Sequence, residues 1–137
     1  MQACKLTDKI DLRKGDGLKP LMPGEVETVI LAGMGGNTIR EILLDSPHVV
    51  RHLKCLIFQP MSGAENVRRW SEDNAWSIVA EDLLLENRHY YQVIKAVPGE
   101  GHKLSEAELY YGPLLIVRKH PLLLPLVEKD LQALQDI

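Results

Sequence analysis

The stretch Val29-Ile30-Leu31-Ala32-Gly33-Met34-Gly35-Gly36-Asn37-Thr38 decides the fold class of this chain. Three aliphatic residues in a row, Val29 to Leu31, predict a strand covered on both faces. Gly33, Gly35 and Gly36 follow at once, and glycine lets a backbone turn sharply and come close to a ligand. Thr38 with Glu41 has the form of a capping box, which predicts that a helix starts there. A strand, a glycine turn and a helix N-terminus together make a nucleotide-site architecture. A tight turn serving only strand–helix packing has the same sequence.

Two familiar phosphate motifs do not fit. Gly33 and Gly35 supply the first two glycines of a dinucleotide fingerprint, but Thr38 stands where the third belongs. About 20 residues on, where a ribose-binding carboxylate is expected, the chain reads His52-Leu53-Lys54-Cys55-Leu56. No Gly-Lys-Ser/Thr follows the glycines, which excludes a Walker loop.

Upstream, Ile10-Asp11-Leu12-Arg13 alternates and predicts a short strand. It runs into Gly15-Asp16-Gly17, a turn that holds a carboxylate at a strand's carboxyl end, where open α/β sheets bind ligands. An ordinary Asp-Gly turn reads the same way. Downstream, Ile39, Ile42 and Leu43 form the buried face of a helix that Asp45-Ser46-Pro47 ends. His48 and His52 stand four apart without a third ligand, which favours surface histidines over a metal pair. Leu53 to Phe58 predicts a second buried strand closed by Gln59-Pro60-Met61. The Gln59 amide at that exit can face a flat base or simply end a strand.

Ser62 with Glu65 predicts another capped helix, reaching about Asp73, with Val67 and Trp70 inward and Arg68 and Arg69 elsewhere. Trp76–Glu86 and Tyr90–Val97 read as an antiparallel pair turned by Asn87-Arg88. Tyr90 and Tyr91 read as structural more readily than as base-stacking residues. Residues 98–109 read as a polar loop. Leu124, Val127, Leu131 and Leu134 form an apolar stripe about two heptads long on a terminal helix. So short a seam needs a partner: the body of the domain, a second copy, or further chain.

Composition bounds the rest. At 137 residues with 45% apolar content, the chain is one globular domain by size. A net charge of −3 gives no bulk signal for nucleic acid, so any such contact needs a local basic patch. Cys4 and Cys55 stand in unrelated contexts and suggest neither a disulfide framework nor a metal site, which fits a reducing cytoplasm. Cys55, within an apolar run, reads as a buried thiol. No apolar run is long enough to cross a membrane.

Read together, Leu12-Arg13-Lys14-Gly15-Asp16-Gly17-Leu18, Leu31-Ala32-Gly33-Met34-Gly35-Gly36, Phe58-Gln59-Pro60, Glu81 to Tyr91 and Tyr111-Gly112-Pro113-Leu114 resemble the bacterial tRNA (adenine-22-N1)-methyltransferase family. The resemblance covers nearly the whole chain, and the Ala-Gly-Met-Gly-Gly strand end is its most specific part. It implies a Rossmann-like class I methyltransferase sheet that uses S-adenosylmethionine, with tRNA as substrate. It also implies an α/β domain over residues 1–113 and the start of a helical coiled-coil arm over 114–137.

By that resemblance Gly15, Asp16 and Gly17 lie near the adenine of the methyl donor. Ala32, Gly33, Met34, Gly35 and Gly36 line the place where donor and target base meet. Gln59 and Pro60 stand beside it, and Arg118 and Lys119 touch RNA phosphates. Met61 stands where the family usually has Asn.

The family's first methionine-binding strand is not in this sequence. In the class I strand order 3-2-1-4-5-7-6, the strand at residues 10–13 would be left without its neighbours. That predicts an incomplete sheet, or a dimer through the exposed sheet edge or the C-terminal helix. A non-catalytic remnant that binds RNA or protein is the rival reading, and a nicotinamide enzyme does not fit the broken fingerprint.

Overall fold

A computed structural model describes residues 8–136. β1 (Thr28–Gly35) and α1 (Gly36–Leu44) come first, then the short α2 (Pro47–Val50), β2 (Cys55–Ser62) and α3 (Ala64–Asp73). β3 (Trp76–Glu86) and β4 (His89–Pro98) form a long hairpin, followed by α4 (Glu106–Tyr111), α5 (Pro113–Val117) and α6 (Leu123–Gln135). The sheet order is β1-β2-β4-β3, with β1 and β2 parallel and β4 antiparallel to both its neighbours.

The main core lies on one face of the sheet. Val29 and Leu31 of β1, Leu56 and Phe58 of β2, and Ile94 and Ala96 of β4 meet Ile39 and Leu43 of α1 and Val67 and Trp70 of α3. Phe58 and Trp70 pack edge to face at 6.3 Å, a favoured aromatic geometry. A smaller cluster of Leu83, Leu115 and Leu126 seats α5 and α6 against β3.

Several expectations change. Ile30 is 65% exposed, so β1 alternates instead of being covered on both faces, because α1 and α3 lie on the same side. Residues 10–13 form no strand; Arg13 instead donates to Asp11 and to the Pro20 carbonyl and pairs with Glu25. β2 runs on through Gln59-Pro60-Met61 to Ser62. Cys55 is half-buried; Cys4 lies outside the described residues.

Both expected capping boxes are absent, since Gly35 and Gly63 occupy the N-cap positions with no side-chain cap. The box that does form is Ser105 with Glu108, inside what reads as a loop, and it opens α4. The Glu108 carboxyl is held below the usual range, first by the Ser105 N–H and then by His102.

The hairpin is as expected, but it carries a bulge between Ile78 and Ala80. Before the bulge Trp76 and Ile78 face the helices. Unbroken alternation would then turn Ala80 and Asp82 inward. The extra residue shifts the parity, and Glu81 and Leu83 are buried instead. His52 Nδ1 lies 3.0 Å from the His48 carbonyl, and no group of three metal-binding side chains exists among the described residues. No helix among them is long and apolar enough to cross a membrane.

Candidate functional site

The carboxyl ends of β1 and β2 lie side by side. The ladder between them is irregular on both sides of Met34. Gly33 is the residue left out, with φ +77, a conformation that glycine adopts without a side-chain penalty. Its N–H donates to Gln59 Oε1 at 3.1 Å, so a side chain replaces the missing backbone partner. Gln59 Nε2 in turn faces the Pro60 carbonyl at 3.3 Å and Met61 Sδ at 3.6 Å.

No atom lies within 4 Å of where a Gly33 side chain would begin, so the turn opens onto free space. Gly36 is the opposite case. A Cβ there would sit 1.9 Å from the Gly63 carbonyl oxygen, so the loops after β1 and β2 are pressed backbone to backbone. Ala32, Gly33, Met34 and Gly35 are thus brought together with Gln59 and Pro60.

The other expected site residues lie elsewhere. Gly17 has φ +57 and packs on Ile42, and the Gly15–Gly17 turn lies beside Asp45 and Ser46 at the far end of α1. Asp16 is exposed. Arg118 and Lys119 are exposed at the turn between α5 and α6, where Lys119 takes φ +51 and His120 Nε2 lies 3.0 Å from Asp82.

Sequence reasoning missed the buried charges that frame the site. Arg68 is fully buried. Its Nε donates to Glu81 Oε2 at 2.8 Å, Nη1 to the Leu109 carbonyl at 2.9 Å and Nη2 to Gln92 Oε1 at 2.7 Å. Glu81 Oε1 accepts the Leu114 N–H at 2.8 Å, at the start of α5. Burial pulls the Arg68 guanidinium below its usual range, and Glu81 opposes that.

Gly112, at φ +89, lies against this pair; a Cβ there would stand 2.7 Å from Glu81 Oε2 and 2.8 Å from Arg68 Nη2. The network therefore ties α3, β3 and β4 to the Tyr111-Gly112-Pro113 turn. A signal for it exists: Ala64, Val67, Arg68 and Ser71 share one helix face at 3-4-7 spacing, and the other three are small or apolar.

A cavity of about 150 Å3 lies beside Pro60, between the loop after β2, Tyr90 and Gln92 of β4, Tyr111 and Asp130. The Tyr111 hydroxyl donates to Asp130 Oδ2 at 2.8 Å. Burial first, and then Asp130, pushes the Tyr111 phenol up to about 12. A larger cleft of about 290 Å3 borders Trp76, Ser77 and Gly101 at the opposite end of the sheet. Ligands of open α/β sheets bind at the carboxyl ends of parallel strands, which favours the Gly33–Gln59 end.

A parallel strand pair joined to an antiparallel hairpin, in the order β1-β2-β4-β3, reproduces the 4-5-7-6 half of a class I sheet. The fold is that of a Rossmann-like methyltransferase. The profile of the tRNA (adenine(22)-N(1))-methyltransferase family, TrmK, matches residues 1–137, and the chain belongs to that family.

The tRNA (adenine(22)-N(1))-methyltransferase of Bacillus subtilis (strain 168) is 32% identical over 138 residues, covering 96% of this chain and 58% of its own length. The crystal structure of the B. subtilis M1A22 tRNA methyltransferase TrmK superposes with a TM-score of 0.88 at 30% identity, covering 98% of this chain and 60% of that one. A Streptococcus pneumoniae structure in complex with S-adenosyl-L-methionine reaches 0.92 at 29% identity, covering 98% and 63%. The chain therefore spans about three-fifths of the length of these relatives.

Proposed function

We propose that this chain takes part in S-adenosylmethionine-dependent methylation of N1 of an adenine in tRNA. The observation that carries the reading is the open backbone turn at Gly33, held by Gln59 at the carboxyl end of the parallel pair. The free space at Gly33 suits a group that must approach the backbone closely. When bound, S-adenosylmethionine supplies an electrophilic methyl group. Ala32, Gly33 and Met34 would border it.

Neutral adenine carries no proton on N1, so no general base is needed there. The work left to the chain is to orient the base, exclude water and satisfy the exocyclic amine. The target base in folded tRNA has to turn out of its stack to be reached. Exposed Arg118 and Lys119 lie where the chain enters α6 and would contact phosphates. In this reading residues 1–113 are the methyltransferase part and 114–137 the beginning of a helical arm. The compartment is the cytoplasm.

Leu124, Leu131 and Leu134 of α6 are exposed, which supports a packing partner for that helix. That observation favours the second reading, a module that binds RNA, protein or a second copy of itself without catalysis. Labelled S-adenosylmethionine and an unmodified tRNA transcript with adenosine at position 22 decide between them. The expected product is labelled N1-methyladenosine; a folded chain that transfers no label leaves the binding module.

A further inference from the structure

β4 runs antiparallel to β2, so its first residues stand beside the carboxyl end of β2. That geometry places Tyr90 and Gln92 along the cavity next to Pro60. Its volume of about 150 Å3 is well below the roughly 300 Å3 at which pockets for drug-sized ligands begin. It suits one planar ring system and not a whole nucleotide.

Of the polar side chains on its wall, Gln92, Tyr111 and Asp130 are hydrogen-bonded, and Asp130 is the carboxylate fixed by such a bond, whereas Glu65 makes none among the described residues. Gln92 Oε1 is held by Arg68, and Gln92 Nε2 lies 3.4 Å from the Tyr110 carbonyl. Asp130 Oδ2 accepts the Tyr111 hydroxyl. Asp130 Oδ1 accepts no hydrogen bond among the described residues, although an ionised carboxylate offers about four acceptor positions.

Asp130 is also held in place. Its neighbour Lys129 donates to the Arg88 carbonyl at 2.9 Å and lies 5.4 Å from the centre of the Tyr90 ring. One turn earlier, Leu126 is buried with Leu83 and Leu115. α6 is therefore seated on the hairpin from two sides, with the Asp130 carboxylate on the wall of the cavity.

We infer that Asp130 is the acceptor that positions the exocyclic amine of the target adenine, and that Tyr111 orients it. The inference rests on the proposed adenine methylation. Adenine presents a donor at its 6-amino group, next to N1, whereas guanine presents an acceptor oxygen there. A fixed carboxylate therefore accepts adenine and repels guanine. Methylation leaves the ring cationic, and the same carboxylate favours that charge. The raised phenol of Tyr111 keeps its hydroxyl a donor toward Asp130 throughout the neutral range.

Two transcripts test this, one with adenosine at position 22 and one with purine riboside, which lacks the amine. Binding and methyl transfer are measured with the chain as it stands and with Asp130→Ala. The unsubstituted chain should prefer adenosine by roughly 10- to 100-fold, the range for a hydrogen bond to a charged group. Asp130→Ala should lose that preference while S-adenosylmethionine affinity, measured by calorimetry, stays unchanged. Asp130→Asn keeps one acceptor oxygen and should retain part of it; should Asp130→Ala fail to fold, the Asn variant carries the same comparison.

Methyl transfer whose adenosine preference survives the substitution overturns the inference and leaves the proposed function standing. A preference in binding that depends on Asp130, without any transfer, supports the inference and removes the catalytic reading. Absence of both overturns both.

Discussion

At the residue scale, the Arg68–Glu81 pair is the most consequential feature of the interior. Both side chains are fully removed from solvent. The pair is held by hydrogen bonds from three other elements, so its loss is not local. Breaking a buried pair by removing one partner leaves an uncompensated charge, and the expected cost of Arg68→Ala is about 3–5 kcal/mol. Replacing both, as Arg68→Met with Glu81→Leu, should cost less than the single change, because no charge is stranded. Urea unfolding of the three chains checks the order. A single-variant loss under about 1 kcal/mol would show that the pair behaves like an exposed one. The Tyr111-Gly112-Pro113 turn depends on the same pair, since only glycine leaves room beside it.

At the element scale, one signature occurs three times with different outcomes. Thr38/Glu41 and Ser62/Glu65 have the spacing of a capping box, yet their helices start at Gly36 and Ala64. α1 starts ahead of Thr38 with Gly35 as its N-cap, and Ser62 ends β2, which leaves Gly63 as the N-cap of α3. Ser105/Glu108 closes fully.

The β3–β4 turn gives a second case. Asn87 and Arg88 have φ of +50 and +65, as a two-residue hairpin turn requires. Left-handed geometry costs a non-glycine residue about 1–2 kcal/mol, and glycine's own entropy penalty is roughly 0.5–1 kcal/mol. Arg88→Gly should therefore raise stability by about 0.5–1 kcal/mol. The Lys129 bond survives, because it goes to the Arg88 backbone carbonyl. A shift of the urea midpoint to higher concentration with an unchanged slope is the expected reading.

At the scale of the whole molecule, α6 joins the sheet through Leu126, Lys129 and Asp130, and the last of these accepts the Tyr111 hydroxyl. The phenol's ordinary value is about 10, and it is raised to about 12 in the folded chain. A raised acid contributes stability fully below its unfolded value, and that contribution is lost as pH rises through the folded value. The chain should therefore lose stability between about pH 10 and 12. Tyr111→Phe should be less stable at pH 8 and show a shallower decline above pH 10. Thermal melting across that range measures it, and parallel declines in the two chains would mean that another group carries the alkaline limb.

The sequence by itself determined the fold class, the strand–glycine–helix unit and the hairpin. Each of these rests on local chemistry: aliphatic runs, glycine's backbone freedom, and turn residues at fixed spacing. The family match bears out that reading over the whole chain. The tertiary structure alone decided which residues became charged interior. Arg68 meets its charged partner because a bulge in β3 turns Glu81 toward it. It likewise decided that Tyr111 and Asp130, 19 residues apart, share a cavity. A parity change within one strand and the docking of a short helix depend on contacts distant in the chain; the face of α3 places Arg68 inward, but no local window carries a record of its partner.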